Sequence, residues 1–577
     1  MTILHERQLP EAPPAPTSDR RDAPQWTRQR ATMWLVGALF LGVSLWSLYD
    51  IGVNPLTLFF ERDDISNLLG RMWPPRIEDF QPIWEATLDT FFMAFVGTFL
   101  AVLLAVPLGF LAASNIVRWR WMRAIARGII VVTRAIPDLI FALIFVRVYS
   151  IGVLPGVLAL GIHSIGMLGK LFADSIEQIQ EGPREGVQAT GASRGQELAT
   201  GVLPQLLPSF IAITLYRLDI NFRSATLLGL VGAGGIGLQI RAFQGGLRYE
   251  ELLGVTLLII ALIVVVEVVS TNVRATILGH DKTKVSMLSR LRGGPAAADY
   301  AVDPDRTVDQ VIAANGERRL TPPWTRERTT MYVFGAFSAM MLVLSFTMTD
   351  MSVLELITGL PEIPRVFLRM VPTNFDWWIP EFGEQLIETV LMGFAATFIA
   401  LIVAIPTGFL AARNVAPARW IYATARFFIL GVRALPDLIV AVIFVAALGL
   451  GPKPGVLALA IGLYGFATKL FADAIEEVQE GPRDGIRATG ATRMQETFSG
   501  VLPQVMPSLV SNSLYLLDAS IRGSTVLGIV GGGGIGFALL QGAKLLKWDL
   551  LGGLLIAIFV IVYSVELLSG WVRKQLL

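Results

Sequence analysis

The chain has 577 residues, 53% of them hydrophobic and only 16% charged, with a formal net charge of +1 and a mean hydropathy of +0.59. An average soluble domain is about 25% charged, so the composition points to lipid, and the balanced charge excludes a general electrostatic footprint for nucleic acid. With no cysteine at all, there is no disulfide framework, thiolate metal site or thiol redox motif.

The first thirty residues are polar and proline-rich, and the first apolar run starts near Met33. That order does not suit a cleaved signal peptide, so residues 1–30 read as a cytoplasmic tail ahead of an inserted chain. Spanning a bilayer takes about 20 predominantly apolar residues as helix. Six runs qualify in the first half, near 31–49, 84–113, 122–148, 152–173, 203–230 and 251–275. Some contain proline, as at Pro107 and Pro137, which a bundle tolerates because neighbours re-satisfy the freed backbone groups. Six more follow near 330–348, 383–412, 421–447, 452–472, 502–529 and 550–573.

The second set repeats the first. Lys170–Ser209 returns as Lys469–Ser508, an offset of 299 (469 − 170), and the same offset links Thr90 to Thr389, Asp138 to Asp437, Gly237 to Gly536 and Arg274 to Arg573. A period this long is not a solenoid repeat; it means two copies of one folded unit. Residues 279–324 between them are charged and broken by Gly293-Gly294-Pro295, which reads as a flexible cytoplasmic linker. The expected fold is an all-α membrane protein of about 12 transmembrane helices, arranged as two parallel six-helix repeats over 31–278 and 325–577.

Orientation follows from the short loops. Arg118, Arg120, Arg123 and Arg127 lie together without an acid, as do Arg413, Arg419 and Arg426. The positive-inside tendency makes both loops cytoplasmic. The opposite side leans acidic, with Asp50, Glu61, Asp63, Asp64, Glu78 and Asp79 against Arg62, Arg71 and Arg76. Both termini then lie inside, and an even number of spans per unit makes the copies parallel.

The best-preserved part of the repeat is the cytoplasmic loop between the fourth and fifth spans. Gly182 is read as stopping the descending helix, with Pro183 restarting one at its first position and Gly191 ending it. Ser193-x-x-Gln196 and Thr492-x-x-Gln495 then read as capping boxes. The product is a short helix–turn–helix presenting Arg184, Glu185 and Gln188 and their twins. It is either an elbow between spans or a docking surface for a soluble partner, and the shared sequence favours docking.

Within the spans, Arg134 and Asp138 are four apart and are expected to share a helix face and pair. Asp219/Arg223, Arg433/Asp437 and Asp518/Arg522 repeat that spacing. Each charge costs about 2.5–3.5 kcal/mol at mid-membrane on insertion scales, so all should face the bundle interior or water. They either lock helices together or line a polar pathway. The halves also differ: Arg147 is matched by Ala446, His163 by Gly462, Arg217 by Leu516 and Asn221 by Ser520. A lone intramembrane histidine such as His163 is more often a helix contact than a proton carrier.

Gly232-x-Gly234-x-x-Gly237 and Gly531-x-Gly533-x-x-Gly536 satisfy the dinucleotide pattern literally. That motif needs a preceding strand and a following helix, whereas these follow an apolar membrane helix. A kink or re-entrant turn is the better reading, with Gly232, Gly234, Gly235, Gly531, Gly533 and Gly534 supplying unusual φ at an outer gate.

Glu185, Gly191 and Leu203-Pro204, with Asp484, Gly490 and Leu502-Pro503, resemble the EAA signature of ABC-importer permeases. The naming alanines are replaced by Gly186-Val187 and Gly485-Ile486, and the second glutamate by aspartate. Arg134–Asp138, Ala189–Ser193 and Gly229–Gly237, with Arg433–Asp437, Ala488–Thr492 and Gly528–Gly536, are similar to phosphonate-importer permeases in particular. The resemblance covers both halves and implies a transport subunit, not an enzyme, with one chain in place of the usual permease pair. It also implies two copies of an ATP-hydrolysing subunit engaging Arg184, Glu185, Ala189, Gly191, Arg483, Asp484, Ala488 and Gly490. ATP and magnesium would be bound on those partners, with no cofactor or metal in this chain, which agrees with the lack of a G-x-x-x-x-G-K-[ST] loop. An extracytoplasmic phosphonate-binding protein and the cytoplasmic (plasma) membrane of a bacterium complete the expected setting. The alternatives are a twelve-span secondary transporter driven by an ion gradient, and an ABC permease for phosphate or phosphite.

Overall fold

The computed structural model describes residues 28–54, 62–278, 326–373 and 380–576, and every regular element in them is helical. Most of the expected tail (1–30) and the whole of the linker (279–324) lie outside the described residues. The first half runs α1 (Arg28–Ile51), α2 (Arg62–Met72), α3 (Phe80–Ala112), α4 (Arg120–Ala135), α5 (Asp138–Tyr149), α6 (Val153–Glu177), α7 (Glu181–Ala189), α8 (Arg194–Gln196), α9 (Leu203–Leu228), α10 (Ile236–Gly245) and α11 (Tyr249–Leu278). The second runs α12 (Arg326–Met348), α13 (Val353–Gly359), α14 (Glu362–Arg369), α15 (Pro380–Leu410), α16 (Arg419–Arg433), α17 (Asp437–Leu448), α18 (Pro452–Glu476), α19 (Glu480–Ala488), α20 (Arg493–Glu496), α21 (Leu502–Leu527), α22 (Gly536–Lys544) and α23 (Trp548–Leu576).

Among the described residues, seven helices are long and apolar enough to cross a membrane, and three bent pairs raise the number to ten. The other two of the twelve expected positions are the shorter apolar stretch Leu35–Ile51 and α21, whose run is diluted by Ser, Asn, Asp518 and Arg522. The runs 122–148 and 421–447 are not straight spans. Each breaks, with an 88° bend between α4 and α5 and a 78° bend between α16 and α17. The cause is Pro137 and Pro436. Proline drives the residue before it out of the α region, and Ile136 sits at φ −89, ψ 121.

The longest interface in each half pairs α3 with α6, and α15 with α18. Small residues set its closeness: a Cβ built on Gly97 would come within 2.9 Å of the Leu160 Cβ, and one on Gly109 within 2.9 Å of the Phe172 Cβ. Lipid offers no hydrophobic drive between spans, so such close backbone approach is how membrane helices gain packing energy.

The two halves interlock at their first helices. α1 packs chiefly on α15 and α23 of the other half, and α12 on α11 and α3. Phe40 lies 5.8 Å from Phe394 between ring centroids, and the Ser47 hydroxyl donates to the Leu391 carbonyl.

Candidate functional site: the coupling elbows and the cavity between the halves

The elbow between the fourth and fifth spans folds the same way twice. α6 ends at Glu177 and α7 starts at Glu181, with Gln180 at the N-cap position. The break therefore precedes Gly182, and Pro183 takes the third helical position instead of the first, where its missing N–H is still harmless. Gly191 and Gly490 follow the helices at φ +77 and +80, the left-handed position that closes a helix, and the Gly191 N–H donates to Gln188 at 2.9 Å. Both capping boxes form. Ser193 N–H donates to Gln196 Oε1 at 2.9 Å and Thr492 N–H to Gln495 Oε1 at 2.8 Å, with the reciprocal bonds present.

A π-helical turn then joins each capping helix to the next span, Glu197–Val202 and Thr497–Val501. The wider turn frees a carbonyl, and the side chain four residues on collects it: Gln205 Nε2 donates to Gly201 O and Gln504 Nε2 to Gly500 O, both at 2.6 Å.

Arg184 and Arg483 do not point to a partner. Arg184 Nε donates to Glu197 Oε1 at 2.6 Å, and Arg483 Nε to Glu496 Oε1 at 2.9 Å. Each also reaches the loop after the second span, at Asn115 O (3.3 Å) and Asn414 O (2.9 Å). Those loops are tied in turn to the end of α6 and α18. Asn115 and Asn414 donate to Ile176 O and Ile475 O at 2.7 Å, and Arg127 and Arg426 pair with Glu177 and Glu476 at 2.9 and 3.0 Å. The arginines thus fasten α7 and α19 to the ends of the neighbouring spans. Glu185, Ala189, Asp484 and Ala488 stay exposed. Hydrogen bonding from Arg487, opposed by burial and helped by Arg483, holds the Glu496 carboxyl below the ordinary glutamate range. Glu197 and Glu496 had escaped the sequence reading, although both lie inside the best-preserved stretch.

The charged residues of the spans are paired differently from expectation. The proline breaks separate Arg134 from Asp138 and Arg433 from Asp437, so neither makes the intrahelical pair that four-residue spacing predicts. Arg433 instead bonds Glu267 of α11 at 2.8 Å, and Arg134 approaches Glu566 of α23 at 3.6 Å. These two acids are themselves related by 299 residues, and each pair crosses from one half to the other. Asp219–Arg223 and Asp518–Arg522 do pair within their helices, at 2.5 and 2.8 Å. Arg223 also donates to Arg433 O at 3.1 Å.

Between the halves lies a cavity of about 420 Å³, lined from the first half by Arg134, Asp138, His163, Lys170 and Arg217 and from the second by Tyr515 and Arg522. His163 Nδ1 meets Ile136 O at 3.0 Å, the carbonyl freed by the break before Pro137.

The glycine turns have the conformation read from sequence. Gly232, Gly234 and Gly235 have φ of +101, +78 and +72, and Gly531, Gly533 and Gly534 have +91, +81 and +71. Each turn is pinned by a threonine, Thr90 Oγ1 accepting from Ile236 N–H at 2.8 Å and Thr389 Oγ1 from Ile535 N–H at 2.9 Å. No strand precedes either turn among the described residues, so the nucleotide-binding pattern is a coincidence of spacing.

Comparison with known proteins gives this architecture a family. The model for the binding-protein-dependent transport system inner membrane component matches residues 105–280 and again 404–576, with starts 299 residues apart (404 − 105). The chain belongs to that family, as a fused duplicate: it is a permease subunit of the ABC importer class and a multi-pass inner-membrane protein. It is similar to the phosphate-import permease protein PhnE of Mycolicibacterium smegmatis, 43% identical over 92% of both chains. A second relative is the phosphite transport system permease protein PtxC of Stutzerimonas stutzeri, 36% identical over 43% of this chain and 90% of that one. Among solved structures, the inward-facing MetNI methionine ABC transporter aligns at 22% identity over 34% of this chain and 96% of that one, with a TM-score of 0.31.

Proposed function

We propose that this one chain forms the whole transmembrane pathway of an ATP-driven importer for phosphorus oxyanions, phosphonates in the first place. Both termini lie in the cytoplasm. Two copies of a separate ATPase subunit, which bind the ATP and magnesium, grip α7 and α19, and an extracytoplasmic binding protein delivers the substrate. The observation that carries this reading is the pair of exposed cytoplasmic helices, fastened to the spans by the same arginine–glutamate bond in each half. Glu185, Ala189 and Gly191, with Asp484, Ala488 and Gly490, present the docking surface, while Arg184 and Arg483 transmit its movement.

When ATP draws the two ATPases together, α7 and α19 move with them. The Arg184–Glu197 and Asn115 links carry that motion into the ends of α6 and α9, and their twins do the same. The halves then rock about the interface where Arg134, Asp138, Asp219, Arg223, Arg433, Asp437, Asp518 and Arg522 gather, and the glycine turns act as the outer gate. A second cargo, inorganic phosphate, is favoured by the relative that matches nearly the full length and bears a phosphate-import name.

The test is uptake of labelled methylphosphonate in cells with and without this chain, with phosphate and phosphite as competitors. Chain-dependent uptake that needs ATP is expected. Uptake that follows an ion gradient and survives removal of the ATPase would contradict the reading in favour of a secondary transporter.

A further inference from the structure

The second half carries no counterpart to one polar network in the first. Arg217 is 4% exposed and lines the cavity between the halves. Its Nε donates to Ser164 Oγ at 2.8 Å, Ser164 Oγ donates to Asn221 Oδ1 at 3.1 Å, and Asn221 Nδ2 donates to Thr98 Oγ1 at 2.8 Å. Arg217 Nη1 rests on the Met167 sulfur at 3.1 Å. At the 299-residue offset these positions are Leu516, Leu463, Ser520, Thr397 and Phe466. Leu516 is fully buried, and Ser520 and Thr397 bond each other. So a three-member relay in one half positions a guanidinium that the other half replaces with packed hydrocarbon.

Among the described residues no carboxylate lies within ion-pair distance of Arg217, whereas Arg134, Arg223, Arg433 and Arg522 each have one. An arginine carries five N–H donors in a fixed fork. Ser164 accepts from Nε and the Met167 sulfur meets Nη1, so the fork is engaged by two neutral groups. Asp138 of the same cavity acts on it only from beyond ion-pair distance, and a buried cation without a direct partner is costly unless something pairs with it. A planar fork suits a tetrahedral oxyanion, which accepts two parallel hydrogen bonds. The same cavity offers Lys170 and Arg522 against Asp138 and Asp174, so cations are not outnumbered there.

We propose that this cavity is a one-sided transit site for a tetrahedral phosphorus oxyanion, with Arg217 as the specificity-determining residue and the Ser164–Asn221–Thr98 relay as its support. The inference rests on the oxyanion-importer reading and adds to it a single asymmetric station on the pathway. A cargo released by the binding protein pairs with Arg217 on entering the cavity. The station holds the anion weakly, since a deep well would stop transport.

Two measurements test it. In cells, uptake of labelled phosphate and methylphosphonate is compared for wild type, Arg217→Leu, Arg217→Lys and the control Arg147→Ala, which also makes the halves alike but lies outside the cavity. Arg217→Leu, normalised to its membrane abundance, is expected to lower maximal uptake at least about tenfold (about 1.4 kcal/mol), with half-saturation unchanged because the binding protein sets it. Arg217→Lys is expected to recover part of the rate, and Arg147→Ala to match wild type. In detergent, ³¹P line broadening of millimolar phosphate by the full chain is expected for wild type and lost in Arg217→Gln. Equal uptake in Arg217→Leu and wild type, or broadening that Arg217→Gln leaves unchanged, overturns the proposal. Broadening lost in Arg217→Gln, in a wild type that imports no phosphorus oxyanion, leaves the anion site standing and overturns the importer reading.

Discussion

Arg483 and Glu496 are each 7% exposed at the side chain and form the more enclosed of the two equivalent elbow ion pairs. Hydrogen bonds to charged groups contribute about 1.5–3 kcal/mol, and removing the Glu496 charge leaves buried Arg483 with only the Asn414 carbonyl. Glu496→Gln is therefore expected to loosen α19 on its span by about 2 kcal/mol, seen as faster amide exchange across 480–501. The pH sign follows from the lowered Glu496 value. Its stabilisation is complete above the ordinary 4.5 of a free glutamate and is lost only as pH falls through the lower folded value. Exchange protection of α19 should then be flat from neutral pH down to about 4.5. A midpoint near pH 6 would contradict the assignment. The cross-half pairs give a second, unequal test. Arg433–Glu267 is short and about nine-tenths buried on both sides, while Arg134–Glu566 is longer, with side chains 25% and 38% exposed. Breaking a buried pair from one side costs about 3–5 kcal/mol, and an exposed pair is worth under about 1 kcal/mol. Glu267→Gln should lower the thermal midpoint in detergent clearly and Glu566→Gln scarcely; the reverse order would contradict the geometry.

The elements proposed to carry motion are the ones the sequence displayed most plainly. The capping boxes at Ser193 and Thr492, the left-handed Gly191 and Gly490, and the glycine turns all depend on local backbone chemistry, so residue type and spacing suffice to read them. Gly191 tests this directly. A Cβ there would meet nothing within 4 Å, so any penalty is conformational, about 1–2 kcal/mol for an L side chain forced to positive φ. Asparagine tolerates that region and valine does not. The double variant Gly191→Val with Gly490→Val is expected to stay in the membrane yet abolish uptake, and the paired asparagine variant to transport. Uptake by the valine variant would defeat the coupling role of the elbow. What the sequence hid is tertiary. Spacing put Arg134 and Asp138 on one face, but Pro137 turns the chain between them, and the fourfold rule applies only within an unbroken helix. Glu267 and Glu566 went unnoticed because their arginines lie on the opposite half, a relation that no local pattern encodes. Pro183 misled the helix start by two residues because proline fits anywhere in the first turn.

At the scale of the molecule, duplication was legible from a constant offset, while the exchange of first helices was not. α1 and α12 each complete the other half's bundle, so neither half is closed on its own. A protease site inserted between residues 279 and 324, cut after purification in mild detergent, should leave the two fragments bound together. Separation of the fragments without denaturant would contradict the exchange. Fusion also explains how the halves diverge: a single chain contains each face once, so Arg217 can be kept where its twin becomes Leu516 without duplicating the charge across the cavity.

The most direct test of the central claim is transport by the complete assembly in liposomes: this chain as the only permease, its ATPase, and its binding protein with labelled methylphosphonate or phosphate outside. One copy of the chain per two ATPase copies should suffice, uptake should require ATP, and Glu185→Lys with Asp484→Lys should detach the ATPase and stop it. Uptake without ATP, or a requirement for a second permease chain, would contradict the claim.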